Sequence, residues 1–468
     1  MRTPHGAGAG ADSRVTVGVD VGTTSVKAVA VDADGEVVAR SRVPHRVVAP
    51  EPDILRHDAA RAWRAGPRKA FEQVSGELRS AGRQLAGVAV ASMVPSLTAV
   101  GRQGVPVLPG LLYGDREGRA ADVAGLPPGS MPDAEGFLRW AHHEVPDARG
   151  YWPCQAVATH ALSGLPAIDT GVTAALGALH TMGRWNTELL DDLGVTEAQL
   201  PMVVPMGQPA GTVRGGDAVI TGGTIDALCD QIVAGATEPG DVLVIFGATL
   251  IVWAVCDEWF SVPGLISYPH TTPDRFVVGG PSNAGALFVD WARQLLRGVP
   301  RPGPDREKLA PRLGEPERVP VWLPYIRGER TPFEDHTLRS NIYGLDIGSG
   351  PQAIERAAFE ASGFVVRRML DLAGVKGTRI VASGGGSRVT AWMAAVADTT
   401  GLPVDVVAVP EGAARGAAYM ARMAAGLETS LDDSVRWAGV GRTIEPDETW
   451  ARAAEARYER FVALGPGT

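Results

Sequence analysis

Cysteine is scarce in this chain. Cys154, Cys229 and Cys256 are the only ones in 468 residues, odd in number and widely scattered. That excludes a disulfide framework and a cysteine-rich metal centre, and it fits a reducing, cytoplasmic compartment. Each cysteine reads as a small buried apolar side chain. An excess of positive charge is also missing. With 44 Lys and Arg against 53 Asp and Glu, the net charge of −9 argues against a broad nucleic-acid surface. No apolar run reaches the ~18–20 residues of a membrane span. The longest, 242–256, is broken by Gly247 and reads as two buried strands meeting at a turn. Residues 1–13 carry glycine and alanine without the apolar stretch of a signal peptide, so a disordered lead-in is expected. There is no low-complexity linker, and the proline- and charge-rich stretch 297–320 reads as a surface excursion.

What is present is enough apolar residue for more than one core. A chain of 468 residues is expected to form two domains of roughly 200 residues or more. Val15, Val17 and Val19 alternate with Thr16, Gly18 and Asp20, the signature of a strand with two unlike faces. The strand stops at Gly22-Thr23-Thr24-Ser25, and Lys27 to Val31 resumes the strand pattern. Asp32-Ala33-Asp34-Gly35 then marks a turn before a third strand from Glu36 to Val43. A P-loop or a dinucleotide fingerprint needs a helix after its glycine turn; here a strand follows, so neither fits. A turn that only reverses the chain has no need of two threonines, a serine and a preceding aspartate. Successive amides and hydroxyls of that kind form an anion nest.

Further on, strands alternate with helical text, which makes the class α/β. Asp58 is placed to cap a helix that Gly66-Pro67 is expected to kink or split, and Leu85 to Met93 reads as a strand. "DVLVIF", Gly247-Ala248-Thr249 and "LIVWAV" repeat the plan of the first hairpin, which hints at an internal duplication. Just before it, Asp226 follows a Gly-Gly turn at the start of a helical run. A third glycine cluster is of the strand–turn–helix kind: "TRIVAS", Gly384-Gly385-Gly386-Ser387, a helix, a Gly401 cap and another strand. A helix of very small residues, "EGAARGAAYMARMAAG", comes next and is suited to close packing beside a ligand or another helix.

Taken in order, these marks resemble the FGGY carbohydrate kinases, within the hexokinase, actin and heat-shock ATPase superfamily. Asp20-Val21-Gly22-Thr23-Thr24-Ser25-Val26-Lys27 matches the family's opening Asp-x-Gly-Thr-x-Ser-x-Lys. "LPYIRGERTPFED" resembles its Leu-Pro-Tyr-x-x-Gly-Glu-Arg-Thr-Pro block, and "SNIYGLDIGSGPQAIERAAFE" its second signature, with Ala353 where a polar residue is usual. The resemblance runs from Val15 to about Gly426.

It implies two ribonuclease H-like domains with a cleft between them, 14–238 for the sugar and 239–466 for the nucleotide. It implies ATP and Mg2+ as cofactors, and a small sugar or polyol, xylulose-like, as substrate. No nucleic-acid or membrane partner is implied, and dimers are frequent among relatives, so a homodimer is part of the expectation. Asp226 is implied as general base, with Asp20 and Asp226 toward the metal. Gly22, Thr23, Thr24, Ser25, Lys27, Gly247, Thr249, Gly384, Gly385, Gly386, Ser387 and Gly416 fall on the nucleotide side, and Met93, Tyr113, Asp115 and Asp226 on the substrate side. Read without the family, Asp226 is first a helix N-cap and Lys27 a solvated strand lysine, while Asp20 is as readily a turn cap as a metal ligand. Asp230, a turn into the helix, reads as a poorer base. Glu329 and Arg330 stay open between a bracing ion pair and a site role.

The departures cluster on the sugar side. Where relatives resembling xylulose kinase carry Met-His-Gly, this chain has Met93-Val94-Pro95. The usual Leu-Trp-Asn-Asp is Leu112-Tyr113-Gly114-Asp115; Ala227 follows the candidate base, and Ala248 replaces a threonine. Each change removes a polar contact. The two readings left are a kinase with an acceptor of altered hydroxyl pattern, and a sugar-binding sensor or pseudokinase with the same fold and little turnover. A chaperone-like ATPase shares the phosphate hairpins but not the FGGY blocks.

Overall fold

The computed structural model describes residues 14–119, 133–296, 312, 314–409 and 411–466. The expected lead-in 1–13 lies outside the described residues, as does most of the stretch 297–320.

Two sheets of the same plan organise the chain. In the first, Arg14–Val21, Ser25–Val31 and Val37–Pro44 form the expected antiparallel meander. Gln84–Ser92 then lies parallel to Arg14–Val21, Val219–Thr221 parallel to Gln84–Ser92, and Pro209–Thr212 antiparallel at the edge. The second repeats this with Asp241–Phe246, Leu250–Cys256 and Phe276–Ser282 as the meander. Arg379–Ser383 and Val404–Val407 extend it in parallel, and Val440–Ile444 closes the edge antiparallel. The apolar run 242–256 is thus two strands joined at Gly247 to Thr249, as its composition implies. Among the described residues no helix is long and apolar enough to cross a membrane.

The two-faced pattern of the first strand has a direct cause. Val15, Val17 and Val19 enter the core of the first half. On the opposite face Thr16 donates its hydroxyl to the Ala418 carbonyl at 2.8 Å, and a Cβ on Gly18 would overlap the Ala414 carbonyl oxygen. That face therefore carries the helix Gly412–Ala424, whose small residues let two backbones touch. The same helix lies against Asp226–Ala234, where Gly416 leaves room only for the Cys229 carbonyl. Asp226–Ala234 in turn packs Ala227 and Ala234 against Leu243, Ile245 and Trp253 of the second sheet. Each half thus lends a helix to the contact between them.

Asp58 accepts the Arg61 amide at 3.0 Å, as expected of a cap. The kink expected at Gly66-Pro67 takes a milder form. A wide-turn segment Ala60–Ala65 runs directly into the helix Gly66–Ser80, with Pro67 in the first turn where no N–H is required. A small five-stranded sheet, formed by Val47–Val48, Arg56–His57, Gly110–Leu112, Ser96–Val100 and Gly150–Trp152, adjoins the first half and ends beside Tyr113.

Two glycines give opposite expectations. Gly18→Ala forces a methyl into the Ala414 backbone and is expected to destabilise by about 1–3 kcal/mol. Gly76→Ala, in a helix with nothing within 4 Å of the new methyl, is expected to stabilise by about 0.5–1 kcal/mol. Urea unfolding of the two variants against the parent checks both signs.

Candidate active site

The hairpin turns, the glycine cluster and the start of the helix Asp226–Ala234 all open on one cavity of about 790 Å³. The antiparallel register sets Asp20 directly opposite Lys27, and their side chains meet at 2.9 Å. Asp20 is the first cause of the raised Lys27 pKa. Lys27 is therefore a paired cation on the cavity wall, not a solvated strand lysine. The turn between them is closed by the Gly22 amide bonding to the Ser25 carbonyl at 3.1 Å. The Thr23 hydroxyl shares a hydrogen bond of 2.9 Å with the Tyr113 hydroxyl, and Ser25 accepts one from Arg42 at 3.2 Å.

The second turn lies on the opposite sheet. Its Gly247 and Ala248 carbonyls accept the Ala286 and Leu287 amides at 2.9 and 3.0 Å. Gly384, at φ +86°, bends the chain out of Arg379–Ser383, and a Cβ there would press on the Phe246 carbonyl at 2.8 Å. A Cβ on Gly386 would strike Trp392 at 2.6 Å, whereas Gly385 faces open space. The cluster is thus packed on one side and bare on the other, a cradle for a ligand.

Asp226 begins its helix and accepts the Ala227 amide at 2.8 Å. Burial, then the neighbouring Asp20 charge, pushes its carboxyl up to about 6. Asp230, the second carboxyl of this helix, stands close by. One turn along the helix returns to the same face, so Asp230 also lines the cavity. It accepts the Ser383 hydroxyl at 2.6 Å, and burial raises its carboxyl to about 7. The spacing of four residues was the available signal.

Gly22, Thr23, Thr24, Ser25, Lys27, Asp20, Met93, Tyr113, Asp226, Gly247, Thr249, Gly384, Gly385 and Gly386 all line the cavity. Three expected residues do not. Asp115 is fully buried, gripped by Arg56 at 2.9 and 3.2 Å and by the Leu55 amide at 2.9 Å. It braces the wall behind Tyr113 instead of reaching a substrate. Ser387 is buried and donates to the Gly384 carbonyl at 2.8 Å, which locks the glycine turn from behind. Gly416 is filled by Cys229, so its role is helix contact. Glu329 and Arg330 part company. Glu329 is buried and accepts the Ser282 hydroxyl at 2.7 Å and the Asn283 amide at 2.8 Å, with its carboxyl raised to about 7 by burial. Arg330 turns to the cavity, its guanidinium 5.2 Å from the Tyr113 ring centre.

A carboxyl whose pKa is higher folded than unfolded holds its proton more tightly in the native state. Its contribution is complete below the ordinary value and is lost as pH rises through the folded one. For Asp230 that window runs from 3.8 to about 7. In the ligand-free protein, stability is expected to drop between about pH 4 and pH 7, and Asp230→Asn to recover roughly 1–3 kcal/mol of it at the upper end. Urea unfolding across that range is the measurement, and an unchanged slope in the variant would remove Asp230 from the titrating groups.

Comparison with known proteins bears on this cavity. A model described as "FGGY family of carbohydrate kinases, N-terminal domain" matches residues 15–124, and its C-terminal counterpart matches 251–425. A xylulose kinase of Escherichia coli K12 is 25% identical, covering 96% of this chain and 98% of its own. A glycerol kinase of Nitratidesulfovibrio vulgaris DP4 is 27% identical, covering 96% and 97%. The solved xylulose kinase from Rhodospirillum rubrum superposes with a TM-score of 0.76 at 25% identity, over 96% of this chain and 98% of that one.

Proposed function

The chain belongs to the FGGY family of carbohydrate kinases, and we propose that it transfers the terminal phosphate of ATP to a hydroxyl of a small sugar or polyol, with a ketopentose such as xylulose the first candidate. The observation that carries this is the meeting of two phosphate-type turns, a glycine cradle and the Asp226 carboxylate in one cavity. Residues 14–238 form the acceptor lobe and 239–466 the nucleotide lobe in this reading, although the helix Gly412–Ala424 crosses from the second onto the first.

Phosphoryl transfer asks little covalent help of a protein. It needs the phosphate held in line, its charge offset, and the acceptor's proton removed. Amides and hydroxyls at Gly22 to Ser25, Gly247 and Thr249 hold oxygens, and Lys27 adds a positive charge already neutralised in part by Asp20. Asp226 takes the proton of the attacking hydroxyl. Its raised pKa makes it a better acceptor than an exposed aspartate while leaving it ionised at neutral pH. The residues suit magnesium, which takes one or two carboxylates and keeps its remaining ligands as water and phosphate oxygen. Asp20 and Asp226 supply these, and among the described residues no cluster of three or more ligating side chains competes. When bound, the ion offsets charge on the phosphates. Closure of the cleft around the bound substrates would exclude water, the competing acceptor.

The acceptor side supports a departure from xylulose. Met93 and Val94 line the cavity where a histidine donor would offer a hydrogen bond, and a site lacking a donor does not select the hydroxyl that needs it. Ala248 favours the second reading, a sugar-binding protein with little turnover, because it removes one hydroxyl from the second turn.

A panel of ketoses, glycerol, longer polyols and sugar acids, each with Mg-ATP, is expected to yield acceptor-dependent ADP release. Asp226→Asn is expected to lower kcat by roughly 10²–10⁴. In the parent, kcat/KM is expected to fall on the acid side as Asp226 protonates near its value of about 6. Acceptor-induced thermal stabilisation without ADP supports the sensor instead, and ADP release indifferent to every acceptor refutes both.

A further inference from the structure

The first phosphate-type turn is held from behind by two histidines that no motif signals. His57 lies on the short strand Arg56–His57 and is buried. Its Nε2 sits 2.7 Å from the Thr23 carbonyl, and its Nδ1 accepts the Trp63 indole N–H at 2.9 Å. A carbonyl only accepts, and Nδ1 is already an acceptor, so the single proton of the neutral ring resides on Nε2. Burial agrees, pushing the His57 pKa down to about 4. His45 does the same for the preceding residue, with Nε2 at 3.0 Å from the Gly22 carbonyl. Its own backbone amide donates to the Thr24 carbonyl at 3.0 Å. The two rings pack edge to face with centres 4.6 Å apart. Trp63 is fully buried, and Gly110 is the residue that makes room for its indole.

The consequence follows from the planar trans peptide, whose C=O and N–H point in opposite directions. Fixing the Gly22 carbonyl fixes the Thr23 amide, and fixing the Thr23 carbonyl fixes the Thr24 amide. The histidines stand behind the turn, and the turn itself lines the cavity. Among the described residues neither amide has a protein acceptor, which leaves both donors open to a ligand. The other lobe provides an independent parallel. There the carbonyls of Gly247 and Ala248, at the same places in the second turn, are held by the Ala286 and Leu287 amides at the start of the helix Ala286–Leu295. One turn is held by a helix start, the other by imidazoles.

We propose that His45 and His57 are positioning residues for phosphate recognition, holding the Gly22 and Thr23 carbonyls back so that the Thr23 and Thr24 amides stay aimed at the nucleotide's terminal phosphate. This rests on the kinase reading above. It assigns the first turn to the phosphate that is transferred, and the glycine cradle of the second lobe to the rest of the nucleotide.

The test separates those two parts. Calorimetry compares a non-hydrolysable Mg-ATP analogue with Mg-ADP on the parent, His57→Leu and His45→Leu. Each leucine variant is expected to weaken the triphosphate analogue about fivefold to tenfold while ADP changes by less than about twofold. His57→Gln, which restores a side-chain N–H, is expected to recover much of the loss. Equal weakening of both nucleotides marks a merely structural role and overturns the proposal, as does no weakening of either. Should His57→Leu fail to fold, the part-exposed His45→Leu carries the same comparison. A parent protein that binds neither nucleotide refutes the kinase reading itself, and the proposal with it. A parent that binds both while the variants fail to discriminate refutes the proposal alone.

Discussion

The close crossing of two helices on a strand governs this structure. Gly412–Ala424 meets the first strand at Gly18 and the helix Asp226–Ala234 at Gly416, in both places backbone to backbone. Such contact tolerates no added methyl without a shift, because interiors are packed as densely as organic crystals. The candidate base begins one of these helices, and the other starts at the cavity wall. The position of Asp226 relative to both lobes is therefore set by van der Waals contact of main chains, which leaves little room to shift. The small-residue text of 412–424 serves that contact first.

The same crossing explains the electrostatics. Asp20, Lys27, Asp226 and Asp230 face one cavity, whose wall also carries Arg42, Asp290, Arg330 and Glu411. Burial first, and then the neighbouring negative charge, favours the protonated forms of Asp226 and Asp230. Asp230 relieves part of the cost by accepting from Ser383 on the opposite lobe. That bond, like the helix contact, spans the halves. Any relative movement of the lobes must either carry it along or break it. The buried carboxylate is thus mechanically as well as electrically coupled to the cleft.

Much of this was legible in the sequence, and the boundary of legibility has a physical sense. The turns at Gly22 and Gly247, the glycine cluster and the alternation of the first strand are local patterns, set by backbone geometry within a few residues. They appear where expected, and the repeated hairpin expands into two sheets of one plan. Asp115 and Gly416 were misplaced for the opposite reason. Whether a carboxylate reaches a substrate or an arginine, and whether a glycine faces a ligand or a carbonyl, depends on chain segments far away. Asp230 lies between: its four-residue spacing from Asp226 places both carboxyls on one helix face, while its bond to Ser383 depends on the distant strand Arg379–Ser383. His45 and His57 left no trace, because their partners are main-chain carbonyls, and a carbonyl has no residue type to read.

That last point bears on how the two lobes differ. A turn whose carbonyls are held by helix amides depends on a backbone arrangement that nearly any side chains permit. A turn held by two imidazoles and an indole depends on three side chains, a correct tautomer and the space at Gly110. The first solution survives sequence drift; the second constrains it. In the proposed reading the second lobe takes the nucleotide, a ligand common to many kinases, and its turn is built in the tolerant way. The first lobe, where Val94 and Tyr113 depart from the pattern that the resemblance implies, holds its turn through side chains continuous with the proposed acceptor wall, since Tyr113 touches the Thr23 hydroxyl. A change in that wall is therefore felt at the first turn through direct contact, so in the proposed reading acceptor shape and phosphate position are not independent variables in this fold.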